Sequence, residues 1–565
     1  MRIGADVVPG GVRFRVWAPG QQRVAVVVDG RDFALEREEQ GYFSAVVEGA
    51  QAGTRYKFRL ADGDYPDPAS RFQPDGPHGH SEVIDPTFEW RPWRGIDRKH
   101  VVLYEMHVGT FTKEGTYAAA MQQLPRLAEI GITVIEMMPV SEFPGTFGWG
   151  YDGVDLYAPT RLYGRPDDLR RFVDEAHAHN LGVILDVVYN HVGPDGNYLR
   201  NFTPAYFAKK YENEWGEPLN FDGDDAHGVR ELIAGNAAYW MEEFRFDGLR
   251  IDATQSMFDA SEKHILREIR ERAPGMFLVA ENEPQDVKLL REYGLDAMWN
   301  DDFHHTARVA ATGFTEGYYT DYEGKARELA SMATSGFLYQ GQWYRWQKKR
   351  RGTPSRHVAP ERLVCYLQNH DQIANSATGQ RLHELTTRRK LKVLTALLLL
   401  QPQTPMLFQG QEFGARSPFL YFADHHDELA KSVRNGRREF LEQFPSIDAS
   451  KLAVPDERGT FERCKLDHDE RDEELETLHR ELLVLRREQP FDGELRASAH
   501  GDECLVLRWF ADGARDRLLI VNYAEPRTID PQSDPLLAPP PGFERWTEVW
   551  STGDDAAVLS RPSKT

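Results

Sequence analysis

The sequence predicts a multidomain protein: a (β/α)8 TIM barrel flanked by an N-terminal immunoglobulin-like β-sandwich and a small C-terminal β domain. Three observations carry this. Between residues 101 and 410, eight short β-prone segments end on polar or charged residues, and amphipathic helical stretches lie between several of them. That is the rhythm of a barrel, whose core is about 250 residues plus insertions. Before it, residues 1–95 alternate apolar and polar side chains at period two. After residue 490 the alternation returns. At 565 residues the chain is too long for one core, and the expected units are 1–95, 96–489 and 490–565.

In the first unit, 11–17 (Gly-Val-Arg-Phe-Arg-Val-Trp) alternates and stops at Ala18-Pro19-Gly20; 24–28, 42–47 and 56–60 read as further strands. Pro66, Pro68, Pro74 and Pro77 mark an extended crossing. The barrel strands are expected to end at 105–107, 136–139, 186–191, 250–252, 280–282, 299–301, 368–371 and 408–410, with helices such as 166–180 and 260–272 between them. An insertion rich in Gly, Pro, Asn and aromatics follows the third strand, at about 192–226; a run of that length is expected to be a functional lobe. In the last unit, 504–510 and 517–523 read as strands.

Composition narrows the partners. A formal charge of −21 disfavours nucleic acid and anionic membranes and fits a neutral substrate. The longest apolar run, near 394–400, is too short to span a bilayer. The start, Met-Arg-Ile-Gly-Ala-Asp, lacks a secretory core. Three separated cysteines, Cys365, Cys464 and Cys504, argue against a disulfide framework or a zinc site. The expectation is a cytoplasmic protein with no membrane partner, no cofactor and no metal. With 12 Trp and 22 Tyr, sugar-stacking surfaces are available, although large cores also use such residues.

The chemistry centres on 246–252, Phe-Asp-Gly-Leu-Arg-Ile-Asp. Side chains alternate along a strand, so Arg250 and Asp252 share a face, and Arg250 favours the ionised form of Asp252. Alone, this reads as a structural ion pair. Together with Glu281 and Asp371, expected at the ends of the fifth and seventh strands, it reads as a set of carboxylates converging on one barrel mouth. Such a set spreads its pKa values, and glycoside hydrolysis needs one ionised nucleophile and one protonated acid. The apolar run 277–280 before Glu281 suits the acid.

Four segments, Asp-Val-Val-Tyr-Asn-His (186–191), Gly-Leu-Arg-Ile-Asp-Ala (248–253), Val-Ala-Glu-Asn (279–282) and Gln-Asn-His-Asp (368–371), resemble in order and spacing the four conserved regions of the α-amylase family. The resemblance implies a retaining mechanism with Asp252 as nucleophile, Glu281 as general acid/base and Asp371 as transition-state stabiliser. It also implies sugar contacts by Arg250, His191 and His370, a stacking Tyr151, and an architectural Asp186. Gln255 stands where relatives commonly carry His or Pro.

Longer segments (104–112, 139–145, 193–199, 301–305, 370–375 and 460–467) resemble the trehalose-releasing branch of that family, the maltooligosyltrehalose trehalohydrolases. The likeness runs from residue 11 to roughly 530. It implies endo-hydrolysis of the α-1,4 bond next to the terminal α,α-1,1-linked trehalose of maltooligosyltrehalose. Asp301, Asp302, Phe303, His304 and His305, expected at a strand end, would bind the trehalose end; Gln372 and Asn375 belong to the matching 370–375 segment. Trp215, in the insertion, would cover the bound sugar or else simply pack its lobe. The alternatives are a glycogen branching enzyme, which shares the four regions but transfers the glycan to another sugar, and a non-catalytic glycan-binding scaffold. Retention of all three carboxylates speaks against the scaffold.

Overall fold

The computed structural model describes residues 2–489, 491–553 and 556–564. The unit limits expected at residues 1, 490 and 565 lie outside them.

The N-terminal region forms two facing sheets. One pairs Gly4–Val8, Gly11–Trp17, Tyr42–Glu48 and Glu36–Arg37; the other pairs Arg31–Ala34, Ala25–Val28, Arg55–Arg59 and Asp64–Tyr65, with Ser81–Glu82 beside Arg55–Arg59. Val12, Phe14 and Val16 point inward from the first sheet and meet Val26, Tyr56 and Phe58 from the second, all buried. The Phe14 and Tyr56 rings meet edge to face at 4.7 Å.

Eight parallel strands then close a barrel: β1 (Leu103–Met106), β2 (Val134–Met137), β3 (Gly182–Val187), β4 (Gly248–Ile251), β5 (Phe277–Ala280), β6 (Ala297–Trp299), β7 (Leu363–Tyr366) and β8 (Thr404–Phe408). β8 returns to pair with β1, Met406 opposite Leu103. Every strand residue is buried, because helices cover the outside and side chains fill the lumen. The eight strands are those expected, but several stop early. β3 ends at Val187 and β7 at Tyr366, so His191 and Asp371 lie on the connections beyond. The helix expected over 260–272 is Ile265–Arg272. The Asp259 carboxylate explains the late start: it accepts from the amides of Ser261 and Ile265 and from Arg230, holding the preceding residues in a loop.

The insertion after β3 is where the sandwich docks. Trp17 meets Tyr206 edge to face at 5.0 Å, Phe58 meets Phe202 at 6.2 Å, and Gln21 Nε2 donates to Asn201 O at 3.0 Å. The C-terminal region is a five-stranded antiparallel sheet, in the order Glu494–Ala499, Cys504–Phe510, Arg517–Asn522, Ala557–Ser563, Arg545–Ser551. It packs on the helix Ala326–Ser335, and Tyr523 Oη donates to Gly324 O at 3.0 Å. Among the described residues no helix is long and apolar enough to cross a membrane.

The sandwich joint is tight at one point. A Cβ on Gly228, in the helix Ala226–Phe244, would stand 2.2 Å from the Trp17 indole. Gly228→Ala should therefore push Trp17 outward and cost about 1–3 kcal/mol, as overpacking does. Thermal denaturation and limited proteolysis of the joint should show a lower melting temperature and faster cleavage. Unchanged values would mean that the joint has slack.

Candidate active site

Side chains facing the lumen recur at every second residue of a strand, and here that period separates floor from mouth. Leu103, Val134, Ile184, Val279 and Trp299 belong to one buried apolar cluster with Tyr366 and Met406. Two residues beyond each of the first five stand Glu105, Glu136, Asp186, Glu281 and Asp301, and on β4 Arg250 follows Gly248. The floor is apolar and the mouth is charged.

Arg250 is fully buried among these groups. Its Nη1 donates to Asp186 Oδ2 at 2.7 Å and to Asp252 Oδ1 at 3.0 Å. Nη2 stands 2.9 Å from Glu281 Oε2 but off the hydrogen-bond direction. The Trp299 ring lies under the guanidinium at 4.3 Å. Asp252 Oδ2 accepts from Asn190 Nδ2 at 2.8 Å. Ala253, just after Asp252, adopts a left-handed φ of 40°, and its amide donates to Glu281 Oε2 at 2.9 Å. The turn after β4 thus ties Asp252 and Glu281 into one unit.

Burial raises the Asp252 carboxyl above its ordinary value, and Arg250 opposes this without reversing it. Arg250 thus favours the ionised form of Asp252, as expected from the sequence, but works against the desolvation of a buried carboxyl. At Glu281 burial again dominates; Asp252 and Asp371 add to it, Arg250 opposes it, and the carboxyl is pushed up to about 7. Glu281 is therefore a group that holds a proton near neutrality.

A second cation sits across the mouth. Burial depresses the His370 imidazole, but Asp371 and Glu105 outweigh it and raise the group to about 9. Its Nδ1 pairs with Glu105, and its Nε2 lies 3.0 Å from Tyr151 Oη and 3.4 Å from Asp371 Oδ2. Tyr151 Oη in turn donates to Asp186 Oδ2 at 2.6 Å, and its ring stacks on His370. Asp371 lies in the first turn of the short helix His370–Ala374. Its side chain is 41% exposed, against 13% for Asp252 and 23% for Glu281. His191 Nδ1 meets Asn190 Oδ1 at 2.6 Å, and burial lowers its pKa.

The 301–305 segment differs from expectation. Asn300 caps a helix, Asp301–Thr312, by accepting from Phe303 N, so these residues are its first turns and not a strand end. Helical spacing turns most of them inward. Asp302, Phe303 and His304 are buried; Asp302 accepts from Tyr322 Oη at 2.7 Å, and His304 Nδ1 pairs with Leu367 O at 3.0 Å. His305 is buried among Tyr318, Tyr319 and Tyr322, with neither ring nitrogen hydrogen-bonded among the described residues. Asp301 differs: it accepts from Tyr366 Oη, and burial pushes it up to about 6, with Arg351 opposing and the Glu281 charge adding.

Gln255 lies exposed on a turn, its Oε1 3.4 Å from Glu283 N. Gln372 Oε1 accepts from Tyr318 Oη at 2.8 Å, and Asn375 Nδ2 donates to the same hydroxyl at 3.1 Å. Trp215 is 59% exposed and so does not simply pack its lobe. Gly216, its neighbour, abuts His191.

Three neighbours of the site escaped the sequence reading. Glu105 holds His370, and its Tyr-Glu-Met-His setting at the end of β1 was a usable signal. Arg351 pairs with Glu283 and Asp302, and Arg437 Nη1 donates to Asn375 Oδ1 at 2.9 Å; both come from long excursions with no local pattern. Among the described residues no group of three or more His, Cys, Asp or Glu side chains is placed to hold a metal ion.

Comparison with known proteins agrees with this geometry. The alpha amylase catalytic domain model matches residues 105–215. Carbohydrate-binding module 48 (isoamylase N-terminal domain) matches 2–86, and a domain of unknown function matches 492–561. A malto-oligosyltrehalose trehalohydrolase of Deinococcus radiodurans is 42% identical over 545 residues, 93% of this chain and 90% of that one. Its namesake from Saccharolobus solfataricus is 40% identical over 532 residues, 90% and 93% of the two chains. A crystal structure of a Salmonella typhimurium protein provisionally assigned as an alpha amylase superposes with a TM-score of 0.90 at 37% identity, covering 99% of both chains. A 1,4-alpha-glucan branching enzyme of Aliivibrio fischeri is 33% identical, but over only 44% of this chain and 39% of its own. By its likeness to the first two along nine-tenths of its length, the chain belongs to the malto-oligosyltrehalose trehalohydrolase family of α-amylase-type glycoside hydrolases.

Proposed function

We propose that this chain hydrolyses, with retention, the α-1,4 bond next to the terminal trehalose unit of maltooligosyltrehalose, releasing trehalose and a shortened maltooligosaccharide. The observation that carries the chemistry is the single buried guanidinium of Arg250 in contact with both Asp252 and Glu281. The choice of substrate rests on the names of the relatives. In this reading Glu281 gives its proton to the glycosidic oxygen as Asp252 attacks the anomeric carbon; trehalose leaves and a glucosyl ester forms. Glu281, now a carboxylate, takes a proton from water, which cleaves the ester and restores both carboxyl groups. Asp371, the most exposed of the three, binds hydroxyls of the distorted ring, with Tyr151, His191 and His370 around it. Asp301 and, from the insertion, Trp215 are the candidates for the trehalose end. The three cysteines, all buried and free, suit the reducing cytoplasm.

Incubation with maltotriosyltrehalose should release free trehalose, and Asp252→Asn should abolish the release while leaving sugar binding nearly intact. If wild-type enzyme elongates or branches the glucan and forms no trehalose, it is a transglycosylase and the proposal fails.

The pH profile follows from Glu281. The first step needs its proton, which a carboxyl raised to about 7 keeps below that pH and loses above it. kcat/KM should therefore fall as pH rises through about 7. Glu281→Gln should lower turnover of maltotriosyltrehalose by about 10²–10⁴-fold and abolish the alkaline limb. It should spare more of the activity on α-maltotriosyl fluoride, whose leaving group needs little protonation. An alkaline limb that survives in Glu281→Gln would assign the acid to another group.

A further inference from the structure

Away from the barrel mouth, a cavity of about 600 Å³ opens between the sandwich and the helix Ala226–Phe244. Its volume falls within the roughly 300–1,000 Å³ of small-molecule sites. The helix lines it with Glu231, Gly235, Ala238, Tyr239 and Glu242, residues spaced to share one face. The two small residues form the recess: a Cβ on Gly235 would come within 3.0 Å of Tyr157 Oη. Tyr42 from the sandwich also lines it.

Two features point to a ligand. Tyr42 and Tyr239 are each only 5% exposed and both line the cavity, and no hydrogen bond among the described residues occupies either hydroxyl, which leaves both open to a molecule in the cavity. The lining is also polar and nearly balanced, with four arginines and three glutamates. The Arg272 guanidinium and the Glu231 carboxylate meet at 2.7 Å at the wall. Arg71 covers the ring faces of Tyr157 and Tyr239 at 4.8 and 4.6 Å, so the tyrosines offer hydroxyl edges in place of stacking planes. Carboxylates repel an anion, and charged walls reject an apolar molecule. Donors and acceptors in near-equal number suit a neutral polyol.

We propose that this cavity is a second, non-catalytic binding site for a neutral glucosyl oligosaccharide, held through the hydroxyls of Tyr42 and Tyr239 and the Glu231–Arg272 pair. The choice of a glucosyl ligand rests on the proposed function; the existence of a polyol site rests on the cavity. Substrate glucan and released trehalose share this chemistry, and separate titrations distinguish them.

The test is calorimetric titration of the full chain carrying Asp252→Asn, with maltotetraose, trehalose and inorganic phosphate in separate arms. One of the two sugars should bind with a site beyond the catalytic cleft. Adding Tyr42→Phe and Tyr239→Phe should weaken that site at least tenfold, and Ala238→Trp, which fills the recess, should remove it. In the otherwise wild-type enzyme both changes should leave kcat/KM on maltotriosyltrehalose within twofold. The proposal is overturned if neither sugar shows a second site, if the second site survives both changes, or if phosphate alone binds there. Because trehalose release is measured in parallel on the enzyme with Asp252 intact, a chain that releases trehalose but lacks the second site would sink this inference alone.

Discussion

One buried charge organises the barrel mouth. Arg250 is out of contact with water and lies within 3.0 Å of carboxylate oxygens on Asp186, Asp252 and Glu281, which come from three neighbouring strand ends. A guanidinium cannot shed its proton under ordinary conditions and presents its nitrogens in a fixed plane, so it sets where three carboxyl groups stand. Burial alone would push all three toward the neutral form. Arg250 restrains that at each of them, most directly at Asp186 and Asp252, to which it donates hydrogen bonds, and less directionally at Glu281. The asymmetry is the useful part: the same cation supports a carboxylate on one side and leaves an acid near neutrality on the other.

The rest of the mouth extends this logic. His370, held as a cation by Glu105 and Asp371, and Tyr151, bridging His370 and Asp186, form a chain of charge-assisted contacts around the rim. Charges this close in a dry setting are strongly coupled, so altering one residue should be felt at the others. The alternation within the lumen makes the arrangement possible, because the apolar floor formed by Leu103, Val134, Ile184 and Trp299 keeps water from reaching the network from below. From above, the insertion after β3 carries exposed Trp215, whose neighbour Gly216 lies against His191, and the sandwich braces that insertion through Trp17 and Phe58.

Much of this was legible in the sequence because barrel strands are short, continuous and apolar, and because chemistry gathers at their ends. The Arg250–Asp252 spacing alone states that both face the same way. What went astray went astray locally. Asn300 followed by Asp301 and Asp302 is a helix start, an N-cap with acids in the first turn, and reading it as a strand end turned Asp302, Phe303 and His304 toward the sugar when they pack inward. The strands Arg545–Ser551 and Ala557–Ser563 lie beyond about residue 530, where the resemblance read from the sequence ended, and no alternating segment was picked out there. Arg351 and Arg437 were beyond reach for a different reason: each reaches the site from a distant excursion, and no local pattern encodes a contact that only the closed fold makes.

The claim that one planar cation sets the site is tested most directly by Arg250→Lys, which keeps the charge but removes the fork. A lysine can serve one carboxylate well but not hold Asp252 and Glu281 from separate nitrogens. Breaking one partner from a buried pair costs about 3–5 kcal/mol, which, if lost from the transition state, is on the order of 10²–10⁴-fold in rate. The account predicts a folded protein whose kcat/KM on maltotriosyltrehalose falls by that order and whose alkaline limb moves away from about 7. A folded Arg250→Lys enzyme with near-wild-type kcat/KM and an unmoved alkaline limb would contradict it.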